Sequence, residues 1–205
     1  MNKRHAIKLI AAGAGWTAAS TTLGLALTAC SENKPSFNAV DLTGADYAKD
    51  FKLTDADGKE RTLADFKGKV VVLFFGYAQC PDVCPTTMTE MAQVKQQLGK
   101  DGDKLQIVFI TVDPARDTPV VMKAYMGAFD PSFVALIPTS EQLVAVAKDF
   151  KVYYKKVEGK TPTSYSMDHS AASYVYDTNG RLRLYARYGA GVAPMVSDVK
   201  ALLNS

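Results

Sequence analysis

Cys80 and Cys84 stand four residues apart in the run Gly76-Tyr77-Ala78-Gln79-Cys80-Pro81-Asp82-Val83-Cys84-Pro85, and His169 stands in Met167-Asp168-His169-Ser170. The 205-residue chain has 3 cysteines and 2 histidines, and the remaining two of these residues, Cys30 and His5, belong to its N-terminal region. Two thiolates and one imidazole make a soft donor set that suits Cu(I). Two thiols this close can instead close a disulfide and work as a redox pair. A purely structural disulfide is the weaker reading, because so short a loop removes little entropy from the unfolded chain.

The elements around these residues follow from pattern. Residues 70–75 and 105–112 are apolar throughout and read as buried strands. The Cys run follows the first of them and opens a helix over 86–98, with Met88, Met91, Val94 and Leu98 at helical spacing and Pro85 suited to the first helical position. A helix over 118–129 follows, with Asp117 or Thr118 as N-cap and Pro119 at N1. A short strand at 133–137 and a helix over 140–150 complete the middle of the chain. Asp57-Gly58 predicts a tight type I′ hairpin joining 51–55 to 59–63, and Asn179-Gly180 marks a second hairpin joining 172–177 to 181–188. A last helix covers 194–203.

Strands alternating with helices give an α/β fold with a parallel sheet. Here the order is that of a thioredoxin-like central sheet with flanking helices and an added N-terminal β-hairpin. In that order the loop before the closing hairpin faces the Cys loop, so His169 is expected beside Cys80 and Cys84. Asp168 is a candidate to orient the ring from behind, the alternative being a solvated loop carboxylate. Asp113, Arg116 and Asp117 follow a buried strand at its carboxyl end. They read either as a turn in which Arg116 pairs a neighbouring Asp or as a charged network beside the Cys loop. Five methionines, Met88, Met91, Met122, Met126 and Met195, read as core, while Met167 is close enough in sequence to His169 to be weighed as an auxiliary ligand.

The first 29 residues have the form of a secretory leader. Lys3, Arg4 and Lys8 precede an apolar stretch without Asp or Glu, and Leu27-Thr28-Ala29-Cys30 resembles a bacterial lipobox. That resemblance implies cleavage before Cys30 and lipidation of its sulfur; the alternative is an uncleaved anchor. Residues 30–48 then form a lipidated tether and 49–205 one domain, placed outside the cytoplasm, on a membrane and facing the periplasm. The whole chain has 24 Lys+Arg against 21 Asp+Glu, and removing the three leader cations leaves 21 of each sign. No basic patch interleaved with aromatics marks a nucleic-acid surface.

Cys80-Pro81-Asp82-Val83-Cys84-Pro85, the run from Val112 through Asp113-Pro114-Ala115-Arg116-Asp117 to Thr118-Pro119, and Asp168-His169-Ser170 together resemble the Sco/SenC family of copper-binding, thioredoxin-like proteins of cytochrome c oxidase assembly. Phe74-Phe75-Gly76 and the Asp57-Gly58 hairpin match as well, in the family's order. The resemblance implies that Cys80, Cys84 and His169 are the copper ligands. It implies that the protein passes copper to the dinuclear site of cytochrome c oxidase subunit II, or first reduces that site's cysteines. It leaves room for another copper chaperone or a thiol–disulfide reductant as partner. Members commonly carry Thr-His before the first cysteine, where this chain has Ala78-Gln79.

Two rivals stand beside that reading. One is a metal-independent extracytoplasmic thiol–disulfide oxidoreductase using Cys80 and Cys84 alone, which has no need of a third soft donor. The other is a peroxidase, disfavoured because its nucleophile needs a threonine three residues before it, where this chain has Tyr77.

Overall fold

The structure is a computed structural model that describes residues 36–161 and 164–205. The leader and Cys30 lie outside the described residues. The chain runs β1 (Val40–Asp41), β2 (Leu53–Thr54), β3 (Glu60–Arg61), β4 (Val70–Gly76), α1 (Val83–Leu98) and β5 (Leu105–Thr111). Then come α2 (Pro119–Gly127), β6 (Val134–Leu136), α3 (Ser140–Asp149), β7 (Tyr154–Glu158) and β8 (Tyr165–His169). It closes with β9 (Ser173–Tyr176), β10 (Leu182–Ala186) and α4 (Val192–Leu203).

β4 and β5 are the apolar runs of the sequence, and every residue of both is buried. They pair in parallel from Val70 opposite Leu105 to Gly76 opposite Thr111. An apolar residue at every position, rather than at alternate ones, is what a strand covered on both faces requires. The sheet has six strands in the order β1-β10-β9-β4-β5-β6, with β4, β5 and β6 parallel and the others antiparallel. This is the expected thioredoxin-like α/β architecture. The methionines at 88, 91, 122, 126 and 195 are all buried in its core. Each large apolar side chain so placed contributes about 1.5–3 kcal/mol relative to exposure.

The Asp57-Gly58 turn differs from the type I′ expectation, and the Asn179-Gly180 turn has the same form. Gly58 N–H donates to Asp55 O at 3.0 Å and Gly180 N–H to Asp177 O at 2.9 Å. Only the glycines are left-handed, at φ +82° and +75°; Asp57 and Asn179 are not among the described residues with positive φ. Each loop is therefore a type I turn closed by one left-handed glycine, the usual three-residue hairpin. The aspartate at each turn's start decides this. Asp55 Oδ1 accepts from the N–H groups of Asp57 and Lys59, both at 2.9 Å. Asp177 Oδ1 accepts from those of Asn179 and Arg181, both at 3.0 Å. Their other oxygens bind Arg61 Nε at 2.7 Å and Arg181 Nε at 2.9 Å. The expected N-terminal hairpin is β2–β3, a small sheet of its own.

Part of the stretch grouped with the tether is held on the domain. Asp198, 2% exposed on α4, accepts from the N–H groups of Asn38 and Ala39, each at 2.8 Å. Those contacts set β1 against β10, with Val40 opposite Tyr185. Two residues are too few for sequence periodicity to show.

Candidate metal centre

β4 ends at Gly76, and its last residue prepares the site. A Cβ on Gly76 would lie 2.8 Å from each of Cys84 Sγ, Phe109 Cζ and Phe74 Cε1. Hydrogen at this position leaves the space that the Cys84 sulfur occupies. α1 starts at Val83, three residues earlier than its sequence pattern predicts, so Cys84 is N2 and Pro85 is N3 rather than N1. Proline is accommodated there because no first-turn N–H has an intrahelical partner. The N-cap Asp82 makes no side-chain cap. Instead Cys84 N–H donates to Cys80 Sγ at 3.4 Å. The sulfur of the first cysteine thus caps the helix carrying the second, an arrangement that favours its thiolate.

His169 arrives on a feature that sequence reasoning took for a loop. β7 and β8 form a separate antiparallel ribbon, with Tyr154 opposite His169 and Lys156 opposite Met167. His169 Nε2 lies 3.4 Å from Cys84 Sγ, and Nδ1 lies 2.9 Å from Ser170 O. A carbonyl only accepts, so Nδ1 carries a proton, and in the neutral ring the Nε2 lone pair faces the sulfurs. Phe74 and Tyr77 hold the imidazole edge-on, each with ring centroids 5.9 Å from it.

Asp168 does not take the orienting role expected of it. Adjacent residues of a strand point to opposite faces; Asp168 is exposed while His169 turns inward, and the Ser170 carbonyl replaces it as the ring's partner. Met167 shares the inward face but packs against the core and lines a groove of about 820 Å³.

The two thiols are free and unequal: Cys80 is half-buried and Cys84 fully buried. The hydrogen bond from the Cys84 thiol holds Cys80 down to about 4, helped by backbone N–H groups of Asp82 and Cys84, against the opposing cost of burial. Cys84 is driven the other way, first by donating to Cys80 and then by burial. One proton therefore rests on the inner sulfur and the negative charge on the outer one.

The carboxylates after β5 divide the work. Asp117 is fully buried and is not the cap of α2, a role Thr118 takes by accepting from Val121 N–H. Its carboxylate accepts from Thr111 Oγ1 at 2.5 Å and from Ala78 N–H at 3.1 Å, fixing the start of the Cys loop. Burial raises its pKa. Asp113 pairs with Arg116 through Oδ2 and accepts from the Tyr165 hydroxyl through Oδ1 at 2.8 Å. Its link to the site runs through Arg116 and Tyr165. Both readings of this turn hold: Arg116 pairs its neighbour and also reaches Gln79 Oε1 at 3.1 Å.

The ligand atoms of Cys80, Cys84 and His169 all lie within 4.8 Å of one another, the one such group among the described residues. Metal–sulfur and metal–nitrogen bonds of about 2.3 and 2.0 Å, as zinc makes them, need donors at about this separation. Two sulfurs and one nitrogen, with the outer sulfur reachable from solvent, fit a soft ion.

A profile of the SCO1/SenC family matches residues 40–204. A SCO2-like protein of Rickettsia felis is 38% identical over 133 residues, covering 64% of this chain and 65% of that protein, so about a third of the relative lies outside the match. Among solved structures, Bradyrhizobium japonicum ScoI with copper bound is 40% identical, with a TM-score of 0.68 over 75% of this chain and 97% of that one. A SCO1/SenC family lipoprotein of Bacillus anthracis is 28% identical, with a TM-score of 0.64 over 75% and 92%. With nearly all of its described residues inside the profile match, the chain belongs to the SCO1/SenC family.

Proposed function

We propose that Cys80, Cys84 and His169 bind copper, and that the protein delivers it to the dinuclear copper site of cytochrome c oxidase subunit II or reduces that site's cysteines. The observation that carries this reading is the convergence of two sulfurs and one imidazole nitrogen within 4.8 Å. The copper held by the Bradyrhizobium structure supports it. The imidazole adds a third soft donor, which dithiol reduction does not require.

The protein acts from a membrane. Residues 1–29 are its secretory leader, Cys30 its lipidation site, and the domain faces the periplasm; the Bacillus relative described as a lipoprotein supports this. Among the described residues no helix is long and apolar enough to cross a membrane.

The unequal thiols favour a second reading, a metal-independent oxidoreductase. Cys80 as thiolate attacks one sulfur of a partner disulfide, and the other partner sulfur leaves as thiolate. Cys84 then gives its proton to His169 Nε2, 3.4 Å away, and attacks Cys80, which releases the partner's second thiolate. Cys80 and Cys84 end oxidised to a disulfide, and the partner gains two electrons. In that state the pair binds no copper, so redox state gates metal binding.

The test presents copper-loaded protein to the metal-free soluble domain of oxidase subunit II. Appearance of that domain's dinuclear copper spectrum, or conversion of its disulfide to thiols at the expense of Cys80 and Cys84, is the expected outcome. A subunit II domain unchanged in both respects would contradict the assignment.

A further inference from the structure

Arg116 sits where three elements meet, and its contacts reach both halves of the ligand set. Nη1 donates to Gln79 Oε1 at 3.1 Å, on the residue before Cys80, and to Tyr165 O at 2.9 Å, at the start of the strand that ends in His169. Nε pairs with Asp113, a carboxylate 4% exposed. The guanidinium lies 3.5 Å from the Tyr165 ring centroid and 5.8 Å from that of Tyr77, whose ring also packs against His169. Tyr165 returns its hydroxyl to Asp113 at 2.8 Å.

The β7–β8 ribbon is hydrogen-bonded to neither of the other sheets. At its base Ser170 N–H reaches Tyr153 O at 2.9 Å and Tyr153 N–H reaches Ser170 Oγ at 3.0 Å, contacts made within the ribbon's own ends. The ribbon joins the central sheet only through the short link to β9, whose Ser173 pairs with Phe74, so its seating against the Cys loop depends on side chains as well. Bonds from a body-anchored side chain to both the ribbon and the Cys loop can set it, and Arg116 makes both.

We infer that Arg116 is a positioning residue of the metal site. Anchored by Asp113, it ties the Gln79 side chain to the Tyr165 backbone and so fixes His169 relative to Cys80 and Cys84. Lysine cannot replace arginine here, because one ammonium cannot stack on Tyr165 and supply the same fork of donors.

This inference rests on the three-ligand reading, and the experiment separates the two. Cu(I) affinity is measured by chelator competition on the reduced, full-length protein in four forms: wild type, Arg116→Met, His169→Ala and the double variant. Outer partners of metal ligands typically control affinity by about 10–100-fold. Arg116→Met is expected to weaken binding about tenfold in the wild-type background and to have no further effect once His169 is gone. Gln79→Ala, which spares the buried pair, is expected to weaken binding in the same His169-dependent way and serves if Arg116→Met does not fold. The Cu(II)–thiolate absorption band should shift in both variants. Unchanged affinity and spectrum, or an equal loss in the His169→Ala background, would overturn the role of Arg116. Wild-type binding indifferent to His169 would overturn the three-ligand reading instead.

Discussion

His169 Nε2 lies 3.4 Å from Cys84 Sγ although 85 residues separate the two. The approach is built from both sides. Cys84 is fixed at N2 of α1 with its sulfur against Gly76, and His169 is fixed by the Ser170 carbonyl on one ring nitrogen and by Phe74 and Tyr77 on its faces.

Gly76 is the most sensitive single atom count in the site. Gly76→Ala places a methyl group 2.8 Å from the Cys84 sulfur and from two phenylalanine rings. Overpacking of this kind costs about 1–3 kcal/mol, and the part relieved by moving the sulfur is paid in ligand geometry. Denaturant titration should show the lost stability and chelator competition a weaker copper complex. Wild-type values in both would contradict the packing described.

Cys80 should behave as a thiolate throughout the neutral range. Its pKa lies near 4, against an ordinary 9.0. Iodoacetamide should therefore alkylate Cys80 in the metal-free protein at a rate nearly constant from about pH 8 to about pH 6, because the thiolate is the nucleophile. Buried Cys84 should resist until the protein unfolds. A rate falling about tenfold per pH unit over that range would show an unperturbed thiol.

Asp117 gives a pH signature with a definite sign. Burial raises its folded pKa above 3.8, so folding favours the protonated form. That contribution to stability is complete below the unfolded carboxylate value and is lost as pH rises through the folded value. The wild type should lose stability from this source as pH rises above 3.8, and Asp117→Asn should not. Asp117→Ala leaves Ala78 N–H and the Thr111 hydroxyl unpaired, at a cost of about 1–3 kcal/mol each. Denaturation at a series of pH values checks both, and parallel profiles for wild type and Asp117→Asn would contradict the assignment.

Much of the arrangement was legible because it is local or topological. Continuous apolar runs marked β4 and β5, Thr118-Pro119 marked the start of α2, and the order of elements brought His169 to the Cys loop. Other features depend on side chains meeting across the fold. The start of α1 is hidden because its cap is the sulfur of Cys80, which no capping rule covers. The hairpin turns are decided by Asp55 and Asp177 rather than by the Asp-Gly and Asn-Gly pairs. The β7–β8 ribbon escapes pattern reading because Lys155, Lys156 and Glu158 break any apolar alternation. The replacement of Asp168 by the Ser170 carbonyl was the more accessible miss: once 165–169 is a strand, neighbours cannot share a face. Gly76 had a signal too, a glycine closing a buried strand just before the cysteines.

The proposed role of His169, completing a copper site with Cys80 and Cys84, can be read from the Cu(I) affinity of the reduced protein beside that of His169→Ala. Tight one-to-one binding should fall in the variant by more than the roughly 10–100-fold typical of losing an outer partner, with the Cys80 thiolate still reactive. Equal affinity in the two proteins would contradict it and leave Cys80 and Cys84 as a dithiol redox pair.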